Sequence, residues 1–111
     1  MYHEYVAVTS TGLKYFDFDE VIPVETRFRC DNFNLYEYDG AFSWKDCGIY
    51  RPGSVNLRYP LYRVTASVDR FPPLDVRPFY MNGGQDDIYV NIDSKTTNGN
   101  VYCCMIGVLI G

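Results

Sequence analysis

Apolar and polar side chains alternate with a period of two along most of this chain. No window of helical length repeats apolar residues every 3.6 positions without interruption by Gly, Pro or a β-branched residue. In IPVETRFRC, Ile22, Val24, Thr26, Phe28 and Cys30 share one face of an extended strand, while Glu25, Arg27 and Arg29 share the other. Ile88, Val90 and Ile92 alternate in the same way with Tyr89, Asn91 and Asp93, and Phe16 and Phe18 alternate with Asp17 and Asp19. The pattern predicts an all-β chain with essentially no helix.

Turn chemistry fills the gaps between the alternating runs. Asp39-Gly40 and Asn98-Gly99 suit two-residue hairpin loops, Pro52-Gly53 suits a type II turn, and Asn82-Gly83-Gly84 suits a looser one. A hairpin at Asp39-Gly40 sets Leu35 against Trp44 and Glu37 against Phe42, so Leu35, Phe42 and Trp44 face the core while Tyr36 and Tyr38 face outward. In VNLRYPLYRVTASV the apolar parity changes at Pro60, which predicts a bend, a bulge or a change of sheet there. Segment 71–80 is proline-rich and reads as an extended arm or an edge segment. Short strands at this spacing predict a β-sandwich of antiparallel hairpins over residues 1–111, with a jelly roll among the arrangements allowed.

Composition narrows the function classes. A chain of 111 residues with 47% hydrophobic residues supports one small core. Fourteen acidic against ten basic residues leave a net charge of −4, which argues against nucleic acid and against a polybasic membrane contact. MYHEYVAVTS lacks a basic region followed by an apolar one, so synthesis in a cytoplasm without a signal peptide is expected.

Candidate chemistry is sparse. The single histidine, His3, reads as a surface strand residue, and no nucleophile elbow, zinc-protease or phosphate-loop motif occurs. Asp17 and Asp19 form the one carboxylate pair with a glycosidase-like placement, but an amphipathic strand with a solvated acidic face explains them together with Phe16 and Phe18. Asp86, Asp87 and Asp93 lack the ligand spacing of a calcium loop. No C-x-x-C occurs, and on a strand Cys103 and Cys104 point to opposite faces; a Cys30–Cys47 bridge stays open but is the minority reading. No catalytic residue, cofactor or metal is expected.

Eleven Tyr, seven Phe and one Trp make 17% of the chain aromatic, and Arg outnumbers Lys. Tyr and Arg are enriched at protein interfaces. Outward-facing Tyr36 and Tyr38 also form a candidate stacking platform for a glycan or receptor. The terminal run VYCCMIGVLIG is too short to span a membrane as a helix. As a strand it sets Val101, Cys103, Met105 and Leu109 on one face and Tyr102, Cys104, Ile106, Val108 and Ile110 on the other. Both faces are apolar, whereas a sandwich strand needs only one apolar face. The second face needs a cover, which a loop or the proline-rich arm of the same chain or another subunit could supply. A subunit is the favoured expectation, with Tyr102, Cys104, Ile106, Val108 and Ile110 as the interface, since an exposed apolar patch on a small domain is an aggregation hazard unless it is an interface.

An acidic all-β domain with no catalytic constellation, a proline-stiffened arm and an apolar terminal strand resembles the small structural proteins of tailed-phage virions, head decoration (cement) proteins above all. The resemblance is one of general character over the whole chain. It implies a non-enzymatic protein that trimerises or otherwise oligomerises, bridges subunits of a capsid shell and ends in the virion. The other classes left open are a carbohydrate- or receptor-binding module using Tyr36 and Tyr38, and a small glycan-acting enzyme using Asp17 and Asp19.

Overall fold

Eight strands carry the alternation: β1 (Tyr2–Val8), β2 (Gly12–Phe16), β3 (Arg27–Tyr38), β4 (Ala41–Arg51), β5 (Leu57–Val68), β6 (Phe79–Asn82), β7 (Asp87–Thr97) and β8 (Gly99–Ile110). The computed structural model describes residues 2–18, 22–38, 41–51, 57–68 and 78–110, except the side chains of 2, 36–38, 41, 42, 57–60 and 62–68. Among the described residues there is no helix, and hence none long and apolar enough to cross a membrane.

The strands form two four-stranded sheets, β1-β8-β3-β6 and β2-β7-β4-β5, every neighbouring pair antiparallel. The first strand pairs with the last, the second with the seventh, the third with the sixth and the fourth with the fifth. The chain is thus one long hairpin with its tip between β4 and β5, wrapped so that β8 meets β3 and β7 meets β4. This is the strand order of a jelly roll, an architecture that packs two sheets over one core.

That wrapping corrects two expected hairpins. β3 and β4 lie in different sheets, so Leu35 pairs with Cys103, while Trp44 pairs with Ile92 and Val68. β7 and β8 are likewise divided, so Asn98-Gly99 joins the two sheets rather than two neighbouring strands. Apolar faces of successive strands can be buried by lying side by side or face to face, and alternation is the same in both cases. The Asp39-Gly40 and Pro52-Gly53 turns, Phe42's side chain and residues 71–77 of the proline-rich segment lie outside the described residues. Beyond them, Phe79 and Tyr80 begin β6, which pairs with Arg27–Cys30 at the edge of its sheet.

The strand expected across Ile22–Cys30 starts only at Arg27. Before it, Pro23–Thr26 makes a turn closed by Thr26 N–H donating to the Pro23 carbonyl (3.2 Å), which leaves Val24 70% exposed. Further on, Asp31 is an extra residue in β3, so the buried parity passes from Phe28 and Cys30 to Phe33 and Leu35. Lys45 does the same in β4, taking burial from Trp44 to Cys47 and Ile49. The expected irregularity at Pro60 is a bulge: Gly48 pairs with Pro60 and Cys47 with Tyr62, leaving Leu61 as the extra residue.

Between the sheets lie Phe16, Phe28, Trp44, Ile88, Val90, Ile92, Val101, Cys103 and Met105, all essentially inaccessible to solvent. Burial of side chains this size stabilises the fold by about 1.5–3 kcal/mol each. At one end, Arg51 grips the buried Asp86 carboxylate through Nε (2.7 Å) and Nη2 (3.0 Å), and the backbone N–H of Asn82 donates to the same group (2.8 Å). This clamp ties the end of β4 to the turn between β6 and β7.

Candidate assembly surface on the last strand

β8 is central in its sheet, with β1 on one side and β3 on the other. Its inner residues Val101, Cys103 and Met105 are buried, and its outer residues begin as half-buried Tyr102 and Cys104. Here β1 supplies the cover: His3 stacks on Tyr102 with ring centroids 5.2 Å apart, and Tyr5 tilts against the same ring at 5.6 Å. The ladder with β1 begins at Tyr2, opposite Met105. β8 continues to Ile110 beside β3 alone among the described strands, with Asn32 opposite Ile106, Arg29 opposite Val108 and Arg27 opposite Ile110.

Beyond the described part of the β1 ladder, exposure rises abruptly. Ile106 is 50% exposed, Val108 45% and Ile110 39% on the outer face, and Leu109, of inner parity, is 42% exposed. The outer face continues across β3 to β6. Arg29 lies between Val108 and Tyr80, and the Arg27 guanidinium sits 4.4 Å over the Tyr80 ring. Arg29 is held by Asp31 at 3.0 Å, and that hydrogen bond together with the carboxylate charge strengthens its hold on its proton. Gly107 keeps β8 flush against β3: a Cβ at this position would overlap the Arg29 carbonyl oxygen and crowd the Phe28 ring.

The five residues expected at an interface therefore occupy one face, in two parts. Tyr102 and Cys104 are partly covered within the chain, and Ile106, Val108 and Ile110 are open. The sequence pattern placed Arg27 and Arg29 outward, but their union with β8 and Tyr80 depends on long-range register. Tyr36 and Tyr38 lie opposite Tyr102 and Asn100 in the backbone ladder, and their side chains are outside the described residues.

Other candidate residues are engaged elsewhere. Asp86 belongs to the Arg51 clamp and Asp93 pairs with Lys45 at 3.0 Å, so these carboxylates do not converge. Asp17 is exposed after the end of β2, and Asp19 lies outside the described residues. Among the described residues no three His, Cys, Asp or Glu side chains form a metal-binding group.

All four cysteines are free thiols, Cys30 and Cys47 included. Burial pushes Cys30 and Cys47 up to about 12 and Cys103 well above its ordinary value. Cys30 also donates to the Asn32 carbonyl across the Asp31 bulge at 3.2 Å. Cys103 faces the core and Cys104 the outer surface, as strand geometry requires. The chain matches no family model, no curated protein and no solved structure.

Proposed function

We propose that this chain is a non-enzymatic assembly protein of the kind found in virions, a capsid decoration protein being the nearest type. It oligomerises through the outer face of β8 and bridges larger subunits. One observation carries the reading: Ile106, Val108 and Ile110 form a row of exposed apolar side chains on the outer face of β8, bordered by Arg29 and by Tyr80 under Arg27, and Leu109 on the opposite face is exposed as well. A monomer rarely leaves such a row in water, and aromatic and Arg side chains beside it are typical of interface hot spots. The jelly-roll order is common to viral capsid and lectin domains, which is analogy at the level of fold and carries no residue-level claim. Native mass spectrometry of the chain, alone and with candidate shell particles, tests the reading. A stable monomer that binds no larger particle would overturn it.

A second reading, a glycan-binding module, is favoured by one detail of register: Tyr5, Tyr102 and Tyr36 occupy one row across three neighbouring strands. Retention on immobilised glycans that disappears in Tyr5→Ala would support it. Absence of any retention would remove it.

A further inference from the structure

We propose that the partner at this surface is a second copy of the same chain, added edge to edge. In this arrangement Ile106–Ile110 of two protomers form an antiparallel ladder about a two-fold axis at Val108. The inference rests on the assembly reading and specifies its partner and geometry.

Three observations lead there. First, the β1 ladder begins at Tyr2 opposite Met105, while β8 runs on to Ile110, so among the described strands one edge of Ile106–Ile110 carries no ladder. An uncovered edge in an extended conformation is a template for another strand. β3 holds this segment extended as far as Ile110, so no reordering is needed before a strand is added.

Second, a two-fold axis sets the segment against itself, and this segment tolerates that opposition. Ile106 of one copy faces Ile110 of the other, Val108 faces its own counterpart, and Leu109 faces Gly107. Like charges directly opposite one another would oppose the pairing. The segment has none, and the nearest cations, Arg27 and Arg29, lie one strand away, with Arg29 held by Asp31. Large meets small on the inner face, since Gly107 lacks a side chain where Leu109 of the second copy arrives.

Third, exposure is high on both sides of the same segment, at Ile106, Val108 and Ile110 outside and at Leu109 inside. Contact with the outer surface alone would leave Leu109 wet. Addition of a strand covers both faces at once and joins two sheets into one continuous sheet. The symmetry is isologous, so the assembly unit is a dimer and not the trimer that the decoration-protein resemblance implies.

Disulfide trapping in the full chain tests this. Cys104→Ser removes the partly exposed thiol, and Val108→Cys, Ile106→Cys or Ile110→Cys is added singly on that background. Opposed residues in an antiparallel pair lie within the Cα separation that a disulfide spans. Mild oxidation is expected to convert Val108→Cys to a covalent dimer. Ile106→Cys and Ile110→Cys are each expected to stay largely monomeric alone, and to cross-link several-fold more when mixed. Circular dichroism and melting of each variant establish that it folds. Assembly by native mass spectrometry without this pattern, whether through efficient self-linking of Ile106→Cys or failure of folded Val108→Cys to link, overturns edge pairing and leaves the assembly reading standing. A monomer throughout overturns both.

Discussion

The Cα of Gly107 lies so close under the carbonyl oxygen of Arg29 that any side chain at 107 would overlap it. A backbone oxygen cannot swing aside as the end of a flexible side chain can, and the adjacent Phe28 ring is fully buried. Gly107→Ala must therefore part β8 from β3 or tilt the ladder. We expect a loss of about 1–3 kcal/mol, the usual cost of overpacking. Urea denaturation followed by the fluorescence of Trp44, the one tryptophan and fully buried, reads this directly. An unchanged midpoint would show that the two strands are not in close contact there.

Arg51 and Asp86 lead to a second expectation. Asp86 is buried, and Arg51 supplies two of the hydrogen bonds that compensate its lost hydration, while its own side chain is 38% exposed. Arg51→Met removes them and leaves the carboxylate with the Asn82 N–H. Breaking a buried pair by removing one partner costs about 3–5 kcal/mol; the exposure of Arg51 lowers the expected loss to about 2–4 kcal/mol. Replacing both residues, Arg51→Met with Asp86→Leu, should recover part of the loss, because no uncompensated charge remains. A double variant less stable than Arg51→Met would contradict this account.

The strands were legible in the alternation, and their neighbours were not. Ile88, Val90 and Ile92 are buried as their spacing requires, and the parity change at Pro60 is a bulge at Leu61. The bulges at Asp31 and Lys45 carry the same parity change, from Phe28 and Cys30 to Phe33 and Leu35 and from Trp44 to Cys47 and Ile49, but no proline punctuates them and a single extra polar residue in a strand breaks no local rule. Hairpin chemistry at Asp39-Gly40 was misleading for a related reason: a turn that permits side-by-side pairing also permits a crossing to the facing sheet. At the candidate site, the two apolar faces of β8 could be read from its own residues. That its outer face divides between a half covered by His3 and Tyr5 and an open half depends on where β1 begins to pair, a property of the whole fold.

Glu25 occupies the left-handed region, with φ 67°, at the third position of the Pro23–Thr26 turn. Type II turns need positive φ at that position and favour Gly, since a side chain there is strained by about 1–2 kcal/mol. Glu25→Gly relieves the strain but gains entropy in the unfolded chain, which offsets part of the benefit. The expected net effect is a stabilisation of about 0.5–1 kcal/mol, measured as an upward shift of the urea midpoint. A fall in stability would mean that Glu25 makes a contact worth more than the strain of its backbone.

The thiols provide a test of packing through pH. Burial raises Cys47 from an ordinary value of 9.0 to about 12 and raises Cys103 as well, so both stay protonated in the fold where an unfolded chain would ionise. For a group whose folded value is raised, stability is complete below the unfolded value and falls as pH rises toward the folded one. The urea midpoint is therefore expected to be insensitive to these thiols up to pH 8. By pH 10 the Cys47 thiol should cost about 1.4 kcal/mol, and Cys103 adds a loss of the same sign. Cys47→Ala should flatten that decline relative to the parent chain, whatever its effect at neutral pH. Labelling provides the companion measurement: in the native chain an aromatic disulfide reagent should react quickly with Cys104 alone, and with all four thiols after unfolding. Rapid native labelling of Cys47 or Cys103, or an undiminished pH slope in Cys47→Ala, would mean that water reaches the space between the sheets.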